Sequence, residues 1–523
     1  MSERLLTSSR GLSLIPSSWV SCSCLVPIML FGCASDDDLF PELEPEAFVS
    51  PAASEAWEPV PREGYEPAHV APVVGVRDQP SRFDGPCSLM QLVDLALETN
   101  PQTRVAWEQA RASAARFGSI RGAWYPTFGL AADLDYQREL FPGGDNVVLD
   151  FRELSITPGV EVSYVLLDFG RRSSQDAGAR ASLWAANLEF NRSIQQTVYD
   201  VQVAYFGLDN AIGLYEASLR ELELAITVVD AVEDSLAVGL ATAPELLLAR
   251  QELAKAEFDV QSRVAGIDDA RSALLVAIGL PANQPLEIQS LRELPLPADL
   301  AVKVDDAINL AMENRPDLAA AVAEVRAAEA DVRLAEADFY PTVTFDGSAG
   351  WQQFTANTSV NRGALVSQQY GAPVWNIGLN GQWILFEGYS LRNNLREARA
   401  LRRKAQAELE TLRIKAIGEV WDSYNDYLAA QRQYDFGLAL VESSREAYEA
   451  MLATYEVGLA TITQLIDAEK DLAESLSTLV ETRSFLLTSS ARVSLAIGSG
   501  RGRAPRDRVT NASSDDEQDV LEP

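Results

Sequence analysis

The feature that most constrains this chain is an internal duplication. Ala96-Leu97-Glu98-Thr99-Asn100-Pro101 is answered by Ala311-Met312-Glu313-Asn314-Arg315-Pro316. Trp124-Tyr125-Pro126 is answered by Phe339-Tyr340-Pro341, and both pairs sit at an offset of 215 (316 − 101 and 341 − 126). Val238-Gly239-Leu240-Ala241-Thr242 returns as Val457-Gly458-Leu459-Ala460-Thr461, and Ala277-Ile278-Gly279 as Ala496-Ile497-Gly498. These sit at an offset of 219 (458 − 239 and 498 − 279). Four landmarks in one order argue for a tandem duplication. A period of about 200 residues is too long for a solenoid unit, so each copy is a whole supersecondary assembly.

The 523 residues carry 76 acidic and 43 basic side chains, a net charge of −33. Nucleic acid is excluded as a partner, because phosphate binding needs a basic face. The single histidine, His69, lies in a Pro- and Glu-rich stretch and reads as a solvated linker residue. With no Ser/His/Asp set, metal cluster or phosphate loop, the chain reads as a non-enzyme with no cofactor.

The N-terminus has the order of a secretory signal peptide over 1–32, with Arg4 and Arg10 before an increasingly apolar stretch. Leu30-Phe31-Gly32-Cys33 resembles a bacterial lipobox, whose cysteine is diacylated. Phe31 is bulkier than that pattern usually allows, and the alternative is an ordinary signal peptide with Cys33 incidental. Two acyl chains give a stable membrane anchor, and Ala34 after the cysteine implies export to the outer membrane. Cys22 and Cys24 leave with the signal, so Cys87 remains without a disulfide partner. Residues 33–87 read as an acidic, Pro-rich linker and 499–523 as a disordered tail.

Each copy then repeats one order. A helix runs from Ser88 to about Gly122, and from Asp305 to about Asp338, with Ser88 and Asp305 as N-caps. Strands follow at about 127–140 and 156–169 in the first repeat (88–290), and at about 342–354 and 373–386 in the second (300–498). In each, apolar residues alternate with polar ones. Phe128, Leu130, Leu134 and Tyr136 alternate with Asp133 and Asp135, and Trp375, Ile377 and Leu379 with Asn376 and Asn380. Strict period two over about ten residues is the pattern of a transmembrane β-strand, apolar out and polar in. Polar loops are expected at about 141–155 and 355–372. Long helical hairpins occupy 171–279 and 389–498. No proline interrupts Arg171–Ala243 or Val374–Ala504, and each hairpin bends at the duplicated Val-Gly-Leu-Ala-Thr. Leu246, Leu253, Phe258 and Val260, and Leu465, Leu472 and Leu479, mark the expected coiled-coil stripes.

No stretch is long and apolar enough for a transmembrane helix, so a membrane-crossing form must be a barrel. Four strands cannot close one, and open edges are forbidden in lipid. Two subunits give a lumen filled by side chains and three give room for a pore, so the polar inner face favours a trimer.

The duplicated helix, hairpin, long helix, Val-Gly-Leu-x-Thr turn and helix resemble the TolC-like outer-membrane efflux protein family, as a lipoprotein member. Leu167-Asp168-Phe169-Gly170 and Leu385-Phe386-Glu387-Gly388 are similar to that family's Leu-Phe-Asp-Gly strand exits, each with a small departure. The resemblance implies an α+β membrane protein: a homotrimer with a twelve-stranded outer-membrane barrel continued by a periplasmic coiled-coil barrel. It implies an efflux duct partnered with a periplasmic adaptor and an inner-membrane RND or ABC transporter. The alternatives are the exit duct of a type I secretion system, or a non-transporting periplasmic scaffold lipoprotein. By position, Val238, Gly239, Leu240 and Thr242, with Val457, Gly458, Leu459 and Thr461, would dock the adaptor. Asp467 would narrow the tunnel, with Gln464 where family members carry a second aspartate. Leu248 stands at Asp467's position in the first repeat, so any acidic ring comes from one repeat only.

Overall fold

In a computed structural model, residues 85–143, 147–291, 296, 303–360, 363 and 365–499 are described. The signal segment, Cys33, His69, most of the linker and the tail beyond Ser499 lie outside them.

Each copy begins with two helices rather than one. The first copy has α1 (Leu89–Thr99) and α2 (Pro101–Arg121), and the second has α5 (Val304–Asn314) and α6 (Pro316–Ala337). The expected continuous helices 88–122 and 305–338 are corrected here. Asn100 and Arg315 are extended (ψ 121° and 119°) because a following proline disfavours the helical region. Pro101 and Pro316 then open the next helix, where a missing N–H costs nothing. Ser88 caps α1 in a reciprocal pair with Gln91. Asp305 is not the cap of α5. Lys303 holds that place, and Asp305 and Asp306 lie in the first turn, where the helix dipole favours acids.

The strands are β1 (Thr127–Gly143), β2 (Val147–Leu167), β3 (Thr342–Val360) and β4 (Leu365–Gln382). They form one antiparallel sheet in sequence order. Most of the expected loops 141–155 and 355–372 is strand instead. Backbone pairing needs no apolar side chains, so the ladders run on through polar residues. At the other end, β2 stops at Leu167 and β4 at Gln382, before the expected 169 and 386. Two left-handed residues turn each strand into its helix: Phe169 and Gly170 (φ 49° and 97°), and Gly388 and Tyr389 (φ 55° and 66°).

The hairpins are α3 (Arg171–Ala237) with α4 (Ala243–Ile278), and α7 (Ser390–Glu456) with α8 (Ile462–Ile497). Both pairs contain 67 and 36 residues, so the duplication is preserved to the residue. At 1.5 Å per residue the long members reach about 100 Å. Among the described residues no helix is long and apolar enough to cross a membrane. Below the sheet, α2 packs on α3, α3 on α6, and α6 on α7, repeating the strand order. Small residues bring these helices close. A Cβ on Gly178 of α3 would meet Ala330 of α6 at 3.5 Å.

Each copy closes on itself at one joint. Gly279 (φ 88°) ends α4 against the backbone of Asn100, where a Cβ would come within 2.7 Å. Gly498 (φ 79°) ends α8 against the backbone of Asn314 and Arg315 at 3.0 Å. Asn100 Nδ2 donates to the Ala277 carbonyl at 2.9 Å, and Arg315 Nη1 donates to its counterpart at Ala496 (3.4 Å). Arginine brings a charge into a site where it is only 2% exposed. Asp317 takes it bidentately at 3.1 and 2.7 Å, and Glu419 accepts at 2.7 Å. The core around the first joint gathers Leu92, Ala96, Val201, Tyr205, Leu274 and Ile278. Cys87 is buried there, and burial pushes its thiol pKa up. The Tyr205 hydroxyl donates to the Gln289 carbonyl at 2.6 Å.

Gly498→Ala should destabilise the protein by about 1–3 kcal/mol, from left-handed strain plus backbone crowding. Gly118→Ala in α2, with open space around it, should be neutral or stabilising. Thermal unfolding of the two purified variants checks both.

Candidate functional site

The tips are built by the same device twice. After α3, the Gly239 N–H donates to Leu236 O (3.1 Å) and the Leu240 N–H to Ser235 O (2.8 Å). After α7, Gly458 donates to Tyr455 O (2.8 Å) and Leu459 to Thr454 O (2.9 Å). This pair of bonds is a Schellman stop, which needs a left-handed residue after the cap. Gly239 (φ 82°) and Gly458 (φ 76°) supply it. Thr242 and Thr461 then cap α4 and α8. The Thr242 N–H donates to Glu245 Oε2 (2.5 Å) and the Thr461 N–H to Gln464 Oε1 (2.9 Å). So Gln464 has a capping task at an exposed position.

The tips lie side by side. A Cβ on Gly458 would touch the Leu240 side chain at 3.8 Å. Val238, Leu240, Val457 and Leu459 are all more than 60% exposed, and Leu459 reaches 82%. Four exposed apolar side chains at the end of a long coiled coil mark a contact surface. Val228, Val232, Ala249, Tyr455, Ile462 and Leu465 hold the tips together beneath it. Leu246, Leu253 and Val260 of the expected stripe pack inward, but Phe258 is 71% exposed and off the stripe. Asp467 is exposed, and its counterpart Leu248 is half buried in the core.

Two residues further along α8, Glu469 is buried at 4% exposure where the two hairpins meet. Burial pushes its carboxyl pKa up to about 7, and Glu221 and Glu252 push the same way. Lys470, paired to Glu252 at 3.0 Å, and Lys255 pull it back. The buried Tyr448 hydroxyl of α7 has no hydrogen-bond partner, and burial with the nearby Glu469 pushes its pKa up to about 12. Sequence reasoning missed Glu469. The signal was present, because it occupies the buried face of α8 between Leu465 and Leu472.

At the other end, the helix-proximal part of the sheet sorts its side chains by face. Phe128, Val162, Gly347 and Ile377 form one cross-strand row, and Leu130, Val160, Ala349 and Trp375 the next. The opposite face carries Gly129, Glu161, Ser348 and Asn376, then Thr127, Ser163, Asp346 and Gly378. From Phe128 to Tyr136 the apolar face climbs about 20 Å on tilted strands, near the roughly 25 Å band of an outer-membrane barrel. Beyond it the same face becomes charged, with Arg138 and Arg152 both bonded to Asp150 (2.9 and 3.0 Å). Among the described residues no His, Cys, Asp and Glu group could hold a metal ion.

Comparison with known proteins agrees with this geometry. The family model described as "Outer membrane efflux protein" matches residues 92–280 and 307–499. Its two segments are offset by 215 at their starts (307 − 92) and 219 at their ends (499 − 280), the spacing of the duplication. The chain belongs to the outer membrane efflux protein family. Relatives of this efflux protein include Protein CyaE of Bordetella pertussis, 27% identical over 398 residues (73% of this chain, 78% of that one). The solvent efflux pump outer membrane protein SrpC of Pseudomonas putida is 26% identical over 432 residues (79% and 85%). Among solved structures, the outer-membrane channel OprN superposes with a TM-score of 0.68 at 23% identity (78% and 89%). VceC of Vibrio cholerae superposes at 0.66 and 21% (78% and 96%). The efflux protein thus has the TolC-type channel fold, in which three chains give a barrel of twelve strands above a helical periplasmic barrel.

Glu469 supplies a pH test. Its raised pKa means that the packed hairpins favour its protonated form. Stability is therefore fullest below the ordinary carboxyl value near 4.5 and falls as pH rises through about 7. Glu469→Gln should raise the melting temperature by roughly 2–4 °C at pH 8 and leave it nearly unchanged at pH 5.

Proposed function

We propose that three copies form the outer-membrane duct of a tripartite efflux system. Substrates enter from an inner-membrane pump through a periplasmic adaptor and leave through the barrel. The observation that carries this reading is the continuity of one wall. An apolar-out sheet leads directly into helices of about 100 Å that end in two adjacent apolar tips. A scaffold lipoprotein needs no such sheet. The similarity to SrpC, a solvent efflux pump outer membrane protein, supports export of small molecules.

The adaptor's hairpins would seat on Val238, Leu240, Val457 and Leu459. Gly239 and Gly458 shape the turns, and Thr242 and Thr461 hold the helix starts. The pump would be of the RND or ABC type. Three copies of exposed Asp467 would form an acidic ring near the tunnel end, opened by mutual repulsion or held by cations. Diacylated Cys33 would anchor each chain to the outer membrane beside its barrel.

Leu240→Asp with Leu459→Asp leaves the turn-forming glycines in place. In cells carrying the pump, the double variant should be as drug-sensitive as the deletion while still forming heat-modifiable trimers. Wild-type resistance would refute docking at the tips. Radiolabelled palmitate should enter the wild-type protein and be lost in Cys33→Ala; label that persists in the variant refutes acylation there.

A further inference from the structure

Cations are confined to one face of the sheet. The strands carry two cationic side chains, Arg138 and Arg152, and both lie on the lipid-side face, bound to Asp150. The register puts Asp133, Asp135, Glu139, Glu153, Glu161 and Asp346 on the opposite face, with no cation among them. Toward the outer end the apolar pattern also changes sides. Asp135, Ser155, Phe354 and Tyr370 share one cross-strand row on that acidic face. The Phe354 and Tyr370 rings pack at 5.1 Å and 53°, and Tyr370 is 56% exposed. At the same height the other face carries Tyr136 and Leu154 on β1 and β2 but Thr355 and Gln369 on β3 and β4, and the next row is Arg138, Arg152, Asn357 and Ser367. On β3 and β4 the wall is here polar outside and aromatic inside, the reverse of the lipid-level pattern of those two strands.

We infer that this row is an exit subsite for cationic aromatic solutes on the inner wall of the barrel. The inference rests on the duct reading, which makes the acidic face the lumen. Lipid cannot cover an inward-facing aromatic pair, so its occupant comes from the channel. Carboxylates in the same and adjacent rows concentrate cations there. The π faces of Phe354 and Tyr370 attract a cation and stack on a flat ring system. Strands about 4.8 Å apart put Asp135 roughly 10 Å from Phe354, two strands away, which matches the length of a tricyclic cation. Twelve strands at this spacing and a tilt near 40° give a barrel radius of about 12 Å, so an inward ring of this size narrows the passage substantially. An anion meets carboxylates and no cationic side chain among the strand residues of this wall.

The test is fluorescence titration of purified trimers in nanodiscs with ethidium, and with fluorescein as the anionic aromatic. Ethidium should bind saturably. Phe354→Ser with Tyr370→Ser should weaken it at least tenfold, and so should Asp135→Asn with Glu153→Gln. Tyr370→Phe should retain binding, which separates loss of the aromatic face from loss of fold. Fluorescein should not bind. Ethidium binding that is absent in the wild type, unchanged in the Ser variant, or matched by fluorescein would overturn the subsite. The titration needs neither pump nor adaptor, so its failure leaves the duct reading to stand or fall on efflux by the tip variants.

Discussion

Hydrocarbon offers no hydrogen-bond partner to a peptide group, and this governs the whole molecule. The sheet of one chain has an apolar face from Phe128 to Tyr136 on β1 and from Trp375 to Leu379 on β4. That face belongs in lipid, yet among the described residues nothing pairs with the outer edges of β1 and β4. The only relief is pairing with copies of itself, which is what the trimeric fold of this family provides. Everything below inherits that threefold closure. Each strand that descends from the barrel continues as a helix wall, so the tunnel is as closed as the barrel above it.

A second constraint keeps a chain of such long helices in register. Helices of 67 residues can slide or splay unless something fixes their far ends. The joint at Asn100 and Gly279, repeated at Arg315 and Gly498, ties the start of each copy to its end. The two joints solve one problem with different chemistry. A neutral amide reaches the carbonyl in the first, and a charged guanidinium with two carboxylates in the second. Breaking the charged version would leave Asp317 and Glu419 with only their longer ion pairs, to Arg192 at 3.9 Å and Lys415 at 3.7 Å. The same asymmetry runs down the hairpins, where Asp467 and Glu469 of the second copy correspond to Leu248 and Arg250 of the first. The duct is close to sixfold in shape and threefold in charge.

Much of this was legible in the sequence, because the signals are periodic or duplicated. Period two in the strands, proline-free runs in the hairpins and glycine at the tips each follow from backbone geometry that a sequence displays. Three things were hidden. The breaks at Asn100 and Arg315 were masked by helical residues on both sides, although the proline after each was the clue. The outer halves of the strands were read as loops because their side chains are polar, while the ladder depends on backbone groups. Glu469 lay in plain view on an apolar face, but its meaning depends on Glu221 and Glu252 from other helices, which only the fold brings near.

The central claim is that the four-stranded sheet is incomplete alone and is closed by exactly two further copies. Native mass spectrometry of the protein released from outer membranes tests this most directly. The account predicts one species containing three chains, stable until heated. A stable monomer or dimer recovered from the membrane would contradict it.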